Sequence, residues 1–199
     1  IALPPLPEQK KIAAILSSVD EAIQATQAVI EQTRRVKEGL LQNLLTRGIG
    51  HTRFKQTEIG EIPEGWEIRT LQSACSAVID YRGKSPPKAE SGIPLLTAKN
   101  VRRGFVQTEP REFIEPSAWE TWMTRGLPEA GDVMFTTEAP LGMAAPYPGG
   151  NVAVAQRLIT FRPRPSYDKR FFLWLLLSPG FQERLRRRAT GSTALGIKG

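Results

Sequence analysis

At 199 residues, with 40% hydrophobic and 24% charged side chains, the chain has the composition of an ordinary folded protein, long enough for one substantial core and an extended element besides. Its most apolar run, residues 171–177, lies between Lys169-Arg170 and the break Ser178-Pro179-Gly180, which excludes a membrane span. One cysteine, Cys75, excludes an internal disulfide framework and fits a reducing, cytoplasmic setting, while 27 Lys and Arg against 20 Asp and Glu leave a net charge of +7.

Residues 7–46 read as one amphipathic helix with no internal proline and a single glycine, Gly39, hence a rod of roughly 60 Å. Pro7 suits its first turn, Glu8 the positive end of its dipole, Arg47 its carbonyl end and Gly48 a left-handed position beyond. One heptad row runs through Ile12, Val19, Thr26, Thr33 and Leu40, another through Leu16, Ile23, Ile30, Lys37 and Leu44. This is the a/d pattern of a coiled coil, interrupted by two threonines and a lysine. Ile12, Leu16, Val19, Ile23, Ile30, Leu40 and Leu44 are the candidate dimerisation residues, because no other segment is long enough to cover such a stripe. The helix carries five basic and five acidic residues, so the whole charge excess lies outside it. A neutral rod beside a basic body points to a protein partner for the first and a polyanion for the second.

Residues 48–65 read as a linker of turns ending on Trp66, and 66–71 alternate like a half-buried strand that opens a second domain. Further strands are expected at 77–81, 94–97, 132–136 and 152–161, with Gly- and Pro-rich loops between them. Helices return at 168–177 and 179–188, the second with Ser178 as N-cap and Pro179 in its first turn. The expected fold is α+β, in three parts: a long coiled-coil helix (residues 1–48), a linker (49–65) and a globular mixed α/β domain (66–199).

No catalytic constellation assembles. His51 and Cys75 are each the only residue of their kind, so neither a His/Cys metal site nor a Cys-His pair can form within one chain, and His51 reads as a solvated linker residue. Gly142 and the Gly149-Gly150 pair read as turns, with no phosphate-cradling loop after a strand. No catalytic residue, metal or cofactor of the chain's own is expected. Cations in loops are better represented. Tyr81, Arg82, Lys84 and Lys88 leave a strand into one loop, and Lys99, Arg102 and Arg103 form a second cluster around Asn100. Arg and Lys anchor phosphates or read guanine, and Asn and Gln pair with adenine. Solvated surface loops are the competing reading for each of these residues. Arg184, Arg186, Arg187 and Arg188 add a basic patch on the last helix, suited to phosphate contact or to solubility.

Several stretches resemble a known family. Leu3-Pro4-Pro5-Leu6-Pro7-Glu8-Gln9-Lys10-Lys11-Ile12 before the long helix, then Thr57-Glu58-Ile59-Gly60-Glu61-Ile62-Pro63-Glu64-Gly65-Trp66, are similar to the specificity (S) subunits of type I restriction-modification systems. Gly92-Ile93-Pro94-Leu95-Leu96, Ala130-Gly131-Asp132-Val133-Met134-Phe135, Val154-Ala155-Gln156-Arg157 and the segment from Ala189 to Gly199 resemble target-recognition-domain signatures of that family. The resemblance implies a non-catalytic reader of double-stranded DNA. Members carry two recognition domains, set apart by two antiparallel helices that act as a ruler, so that each domain reads half of a split site. They recruit two methyltransferase (M) subunits, which bind S-adenosylmethionine, and in the full complex two restriction (R) subunits that use ATP and Mg.

The chain departs from that pattern in having one helix followed by one domain, and it starts at Ile1. The resemblance implies one repeat of a cyclically shifted arrangement, a half-subunit or a fragment of a longer one. Within it, Gln156 and the 191–198 turn, with Thr193 and Lys198, are expected to anchor DNA through N–H and hydroxyl groups. As a homodimer, two copies would pair their helices antiparallel and read a split palindrome. The alternative is a coiled-coil DNA-binding regulator without a methyltransferase partner, which would bind its sequence unaided.

Overall fold

The computed structural model describes residues 2–191, 196 and 197. The rod is present as α1, Leu6–Arg47. Pro7 lies in its first turn with Glu8, and Gly48 closes it at φ +64°, its N–H donating to Leu44 O at 3.1 Å. No residue of α1 is buried. Its seven stripe residues are 42–61% exposed, so the apolar seam lies open along the helix. The threonines that interrupt the seam satisfy their hydroxyls on the helix itself, Thr26 Oγ1 donating to Ala22 O and Thr33 Oγ1 to Val29 O, both at 2.8 Å. Lys37, the third interruption, packs on the domain, its Nζ 4.5 Å from the Trp174 ring centroid. Leu41 and Leu45 are half-buried, and among the described residues α1 meets Gly60–Pro63 and Pro179–Arg188 near its C-terminal end.

The segment expected as a linker of turns is a β-hairpin, β1 (Phe54–Thr57) against β2 (Gly60–Pro63). Strands of four residues carry too little alternation to register by periodicity. The hairpin braces the end of α1, with Arg47 3.4 Å from Glu61 and its guanidinium over the Phe54 ring at 5.2 Å. His51 is exposed, as expected, and its ring meets Trp66 edge-on at 6.0 Å, beside Gly48.

The strand expected at 66–71 does not form. Thr70 caps a short helix instead, its Oγ1 accepting from Ser73 N at 3.2 Å, and this cap overrides the weak alternation. That helix is α2 (Leu71–Ala74), and β3 (Cys75–Asp80) follows it. In chain order come β4 (Lys88–Ala89), β5 (Ile93–Leu96), β6 (Phe113–Ile114), α3 (Trp119–Trp122), β7 (Val133–Thr136), β8 (Ala144–Pro146), β9 (Ala153–Val154), β10 (Leu158–Pro163), α4 (Lys169–Leu177) and α5 (Pro179–Arg188). One sheet has the antiparallel order β3-β10-β7-β8, the other the order β4-β6-β5-β9 with β5 and β9 parallel. The single strand expected at 152–161 is thus two strands in two sheets, parted at Gln156-Arg157.

The period-two alternation of β7 explains the layering. Val133 and Phe135 face α4 and α5, whereas Met134 faces the second sheet, so β7 is buried on both sides. Helix α4 contributes Phe172, Leu173, Leu176 and Leu177 to the helix-side core, each worth about 1.5–3 kcal/mol of burial. The layers are locked by Asp132, which is fully buried. It accepts from Arg162 Nε of β10 at 2.9 Å, from Lys169 Nζ of α4 at 2.8 Å and from Glu129 N at 2.9 Å.

Candidate nucleic-acid interface

Where β3 ends, the chain turns outward into the first expected DNA loop. Arg82 grips the Asp80 carboxylate, Nε at 3.0 and 2.8 Å from its two oxygens and Nη2 at 2.5 Å. Partial burial raises the Asp80 carboxyl, but the hydrogen bonds and charge of Arg82, with the charge of Arg125, hold it below its ordinary value. Arg125 Nη1 donates to Asp80 O and to Arg82 O, both at 2.8 Å, and so braces the start of the loop. Tyr81 is a core residue and not part of the exposed loop. It is 3% exposed, stacks on Trp122 at 5.8 Å, and donates its hydroxyl to Gly126 O. An aromatic beside cations serves a core as readily as a nucleic acid, and here the interior claims it.

Lys84 is exposed. Lys88 of β4 and Lys99 of the turn after β5 converge on Glu112, at 2.6 and 3.6 Å. Asn100 is buried, its Oδ1 accepting from Thr97 N and Oγ1, its Nδ2 donating to Gln107 O and Pro110 O, so it shapes its turn and presents no edge to a base. Arg102 Nε donates to Gln107 Oε1 at 2.9 Å. Arg103 points the other way: its Nη2 donates to Leu177 O at 2.8 Å at the C-terminus of α4, and with Glu38 and Arg186 it lines a cavity where α1, the 139–143 loop and α5 meet.

Gln156 Nε2 donates to Ser85 Oγ at 3.2 Å, joining the turn between β9 and β10 to the first loop. Asp80, Arg82, Arg125, Thr137, Glu138 and Gln156 line one open cleft. The β7–β8 loop, which supplies Thr137 and Glu138, is held on several sides. Thr137 N donates to Arg157 O at 3.0 Å, Ile197 N to Thr137 O at 3.1 Å, and Gln182 Nε2 of α5 to Gly142 O at 2.8 Å. Arg157 Nε lies 2.8 Å from Glu138 Oε1.

Of the expected site residues, Arg82 and Gln156 meet in this cleft, with Lys84 next to its lining residue Gly83. Lys88 and Lys99 meet each other around Glu112. Arg103 belongs to the α4–α5 side, and Thr193 and Lys198 lie outside the described residues. Arg125 and Glu138 line the cleft and Arg157 stands beside it on Glu138, and sequence reasoning misses all three. The signal for Arg157 is its place beside Gln156; Arg125 and Glu138 have none, because their partners lie far along the chain. Arg186, Arg187 and Arg188 are exposed on the last turn of α5, Arg187 paired with Glu183 at 2.5 Å. Among the described residues no helix is long and apolar enough to cross a membrane.

No protein-family model matches the chain. The type I restriction enzyme MjaVIII specificity subunit of Methanocaldococcus jannaschii is 30% identical over 96% of this chain and 47% of its own length. The MjaX specificity subunit of the same organism, whose own assignment is provisional, is 43% identical over 89% of this chain and 41% of its own. The crystal structure of the HsdS subunit from Thermoanaerobacter tengcongensis shares the fold, with a TM-score of 0.54 at 19% identity, covering 98% of this chain and 47% of that one. The chain spans about half the length of the curated relatives it matches. Long helix, hairpin and two-sheet domain together align with those relatives, and the chain belongs to the family of type I restriction enzyme specificity subunits.

Proposed function

We propose that the chain is a non-catalytic DNA-recognition module of a type I restriction-modification enzyme. Its globular domain reads one half of a bipartite site in double-stranded DNA, and its helix sets the spacing to a second reader. The observation that carries this reading is the match to specificity subunits along nearly the whole chain. The charge excess beyond α1 and the arginine-lined cleft support it. The open stripe on α1 supports antiparallel pairing with another such helix, in the simplest case that of a second copy. Methyltransferase subunits carrying S-adenosylmethionine, and restriction subunits using ATP and Mg, are the partners this reading calls for.

The test is co-purification with a methyltransferase subunit followed by mapping of the methylated sites. The expected result is a split motif with a fixed spacer, palindromic if two copies pair. Sequence-specific DNA binding by the chain alone, with no methyltransferase retained, would overturn the reading in favour of a regulator.

A further inference from the structure

The geometry points to Arg157, paired with the cleft residue Glu138, as a guanine-reading residue beside the cleft, with Glu138 as the positioning residue that orients it; the inference rests on the DNA-reading function proposed above. The arginines around the cleft divide by what their guanidinium groups already hold. Arg82 spends Nε and Nη2 on Asp80, and Arg125 spends Nη1 on two backbone carbonyls, so both build the cleft wall. Arg157 differs. Among the described residues its one side-chain partner is Glu138, reached through Nε at 2.8 Å, and its side chain is 52% exposed. Nε is the guanidinium nitrogen nearest the carboxylate, which leaves Nη1 and Nη2 for a ligand, the fork that matches O6 and N7 of guanine.

Glu138 itself argues for base contact. A carboxylate on a DNA-facing surface repels phosphate, so it is favourable there only when it serves an arginine or a base amino group. Other acids near the interface have structural partners: Asp80 holds Arg82, and Glu112 holds Lys88 and Lys99. Glu138 is 43% exposed on a loop that is fixed rather than free. Thr137 donates to Arg157 O from both N and Oγ1, at 3.0 and 3.2 Å, and the backbone of Glu138 bridges to Gly196. The two residues are thus held in register before DNA arrives, as a reading residue requires. Lys84, a flexible point charge, suits a phosphate and serves as the contrast.

The experiment maps the methylated motif of the assembled complex with methyltransferase subunits for the wild type and for R157A, R157K, E138Q and K84A. The wild-type half-site should contain a G·C pair whose discrimination falls about tenfold to a hundredfold in R157A and is not restored in R157K, the other positions keeping theirs. E138Q should relax the same position by a smaller factor with the fold unchanged, which a structural role would not do. K84A should lower methylation at all sites alike. A half-site without a G·C pair overturns the inference, as does an unaltered motif in R157A and E138Q. If R157A does not fold, E138Q alone decides. A wild-type complex that methylates no defined sequence rejects the DNA-reading function itself.

Discussion

Lys88 Nζ lies 2.6 Å from Glu112 Oε2, and the Glu112 side chain is only 14% exposed. A cation that sequence assigns to DNA is therefore already holding a largely buried carboxylate. Removing one phosphate-binding cation lowers the salt slope of DNA binding by about one unit. K84A should show that full unit, K88A and K99A less, and R103A none, since Arg103 serves the end of α4. Affinity titrated over a range of salt concentrations checks this; equal slope changes in all four variants would count against it.

The open seam on α1 makes a prediction about assembly. Ile23 and Ile30 lie mid-stripe, 50% and 47% exposed. I23D/I30D should be monomeric by light scattering, and the complex should lose specific methylation while weak, salt-sensitive DNA binding persists. A wild-type chain that is monomeric at micromolar concentration would point instead to a partner helix from elsewhere.

Asp132 should be the costliest single carboxylate to remove. D132A leaves Arg162 and Lys169 facing a void in the buried turn, and breaking such a network costs about 3–5 kcal/mol. The Tm should fall by roughly 10 °C, whether or not DNA is present. A fall below about 2 °C would mean that the two cations re-pair at the surface.

Alkaline pH should destabilise the domain through two buried protons. Burial pushes the Cys75 thiol from 9.0 up to about 11, and the Tyr81 hydroxyl from 10.0 up to about 12. Both groups are neutral when protonated, and the folded state holds the proton more tightly than the unfolded chain does. Their contribution is therefore complete below the unfolded values and is lost as pH rises through the folded ones. Denaturant midpoints should fall between pH 8 and pH 10.5 with the slope unchanged, and less steeply in C75A. A midpoint in C75A that falls as steeply as in the wild type would remove Cys75 from the account.

What could be read in advance depended on how far each signal reaches along the chain. Helix α1 repeats its pattern over many turns, and the Ser178 cap marks the boundary between α4 and α5, so all three stand where expected. The hairpin strands are four residues each, and β4, β6 and β9 only two, too short for any periodicity. At the interface, Arg82 could be picked out because it sits in a polar stretch leaving a strand, and Gln156 because it stands in a segment that resembles a target-recognition-domain signature. Arg103 could not be placed, because its acceptor is Leu177 on a distant helix. Asn100 and Tyr81 have side chains equally at home on DNA and in a core, and only tertiary packing decides between them.

The joint between α1 and the domain sets an angular tolerance. At Gly48 a Cβ would come within 2.7 Å of His51 and 2.8 Å of Trp66, at a φ of +64° that side chains rarely adopt. The helix acts from there as a lever roughly 60 Å long, so a tilt of about 5° at Gly48 displaces its far end by about 5 Å. That exceeds the rise of about 3.4 Å for one base pair. A small bend at one glycine, with every base contact intact, would thus shift the far end by more than one base step.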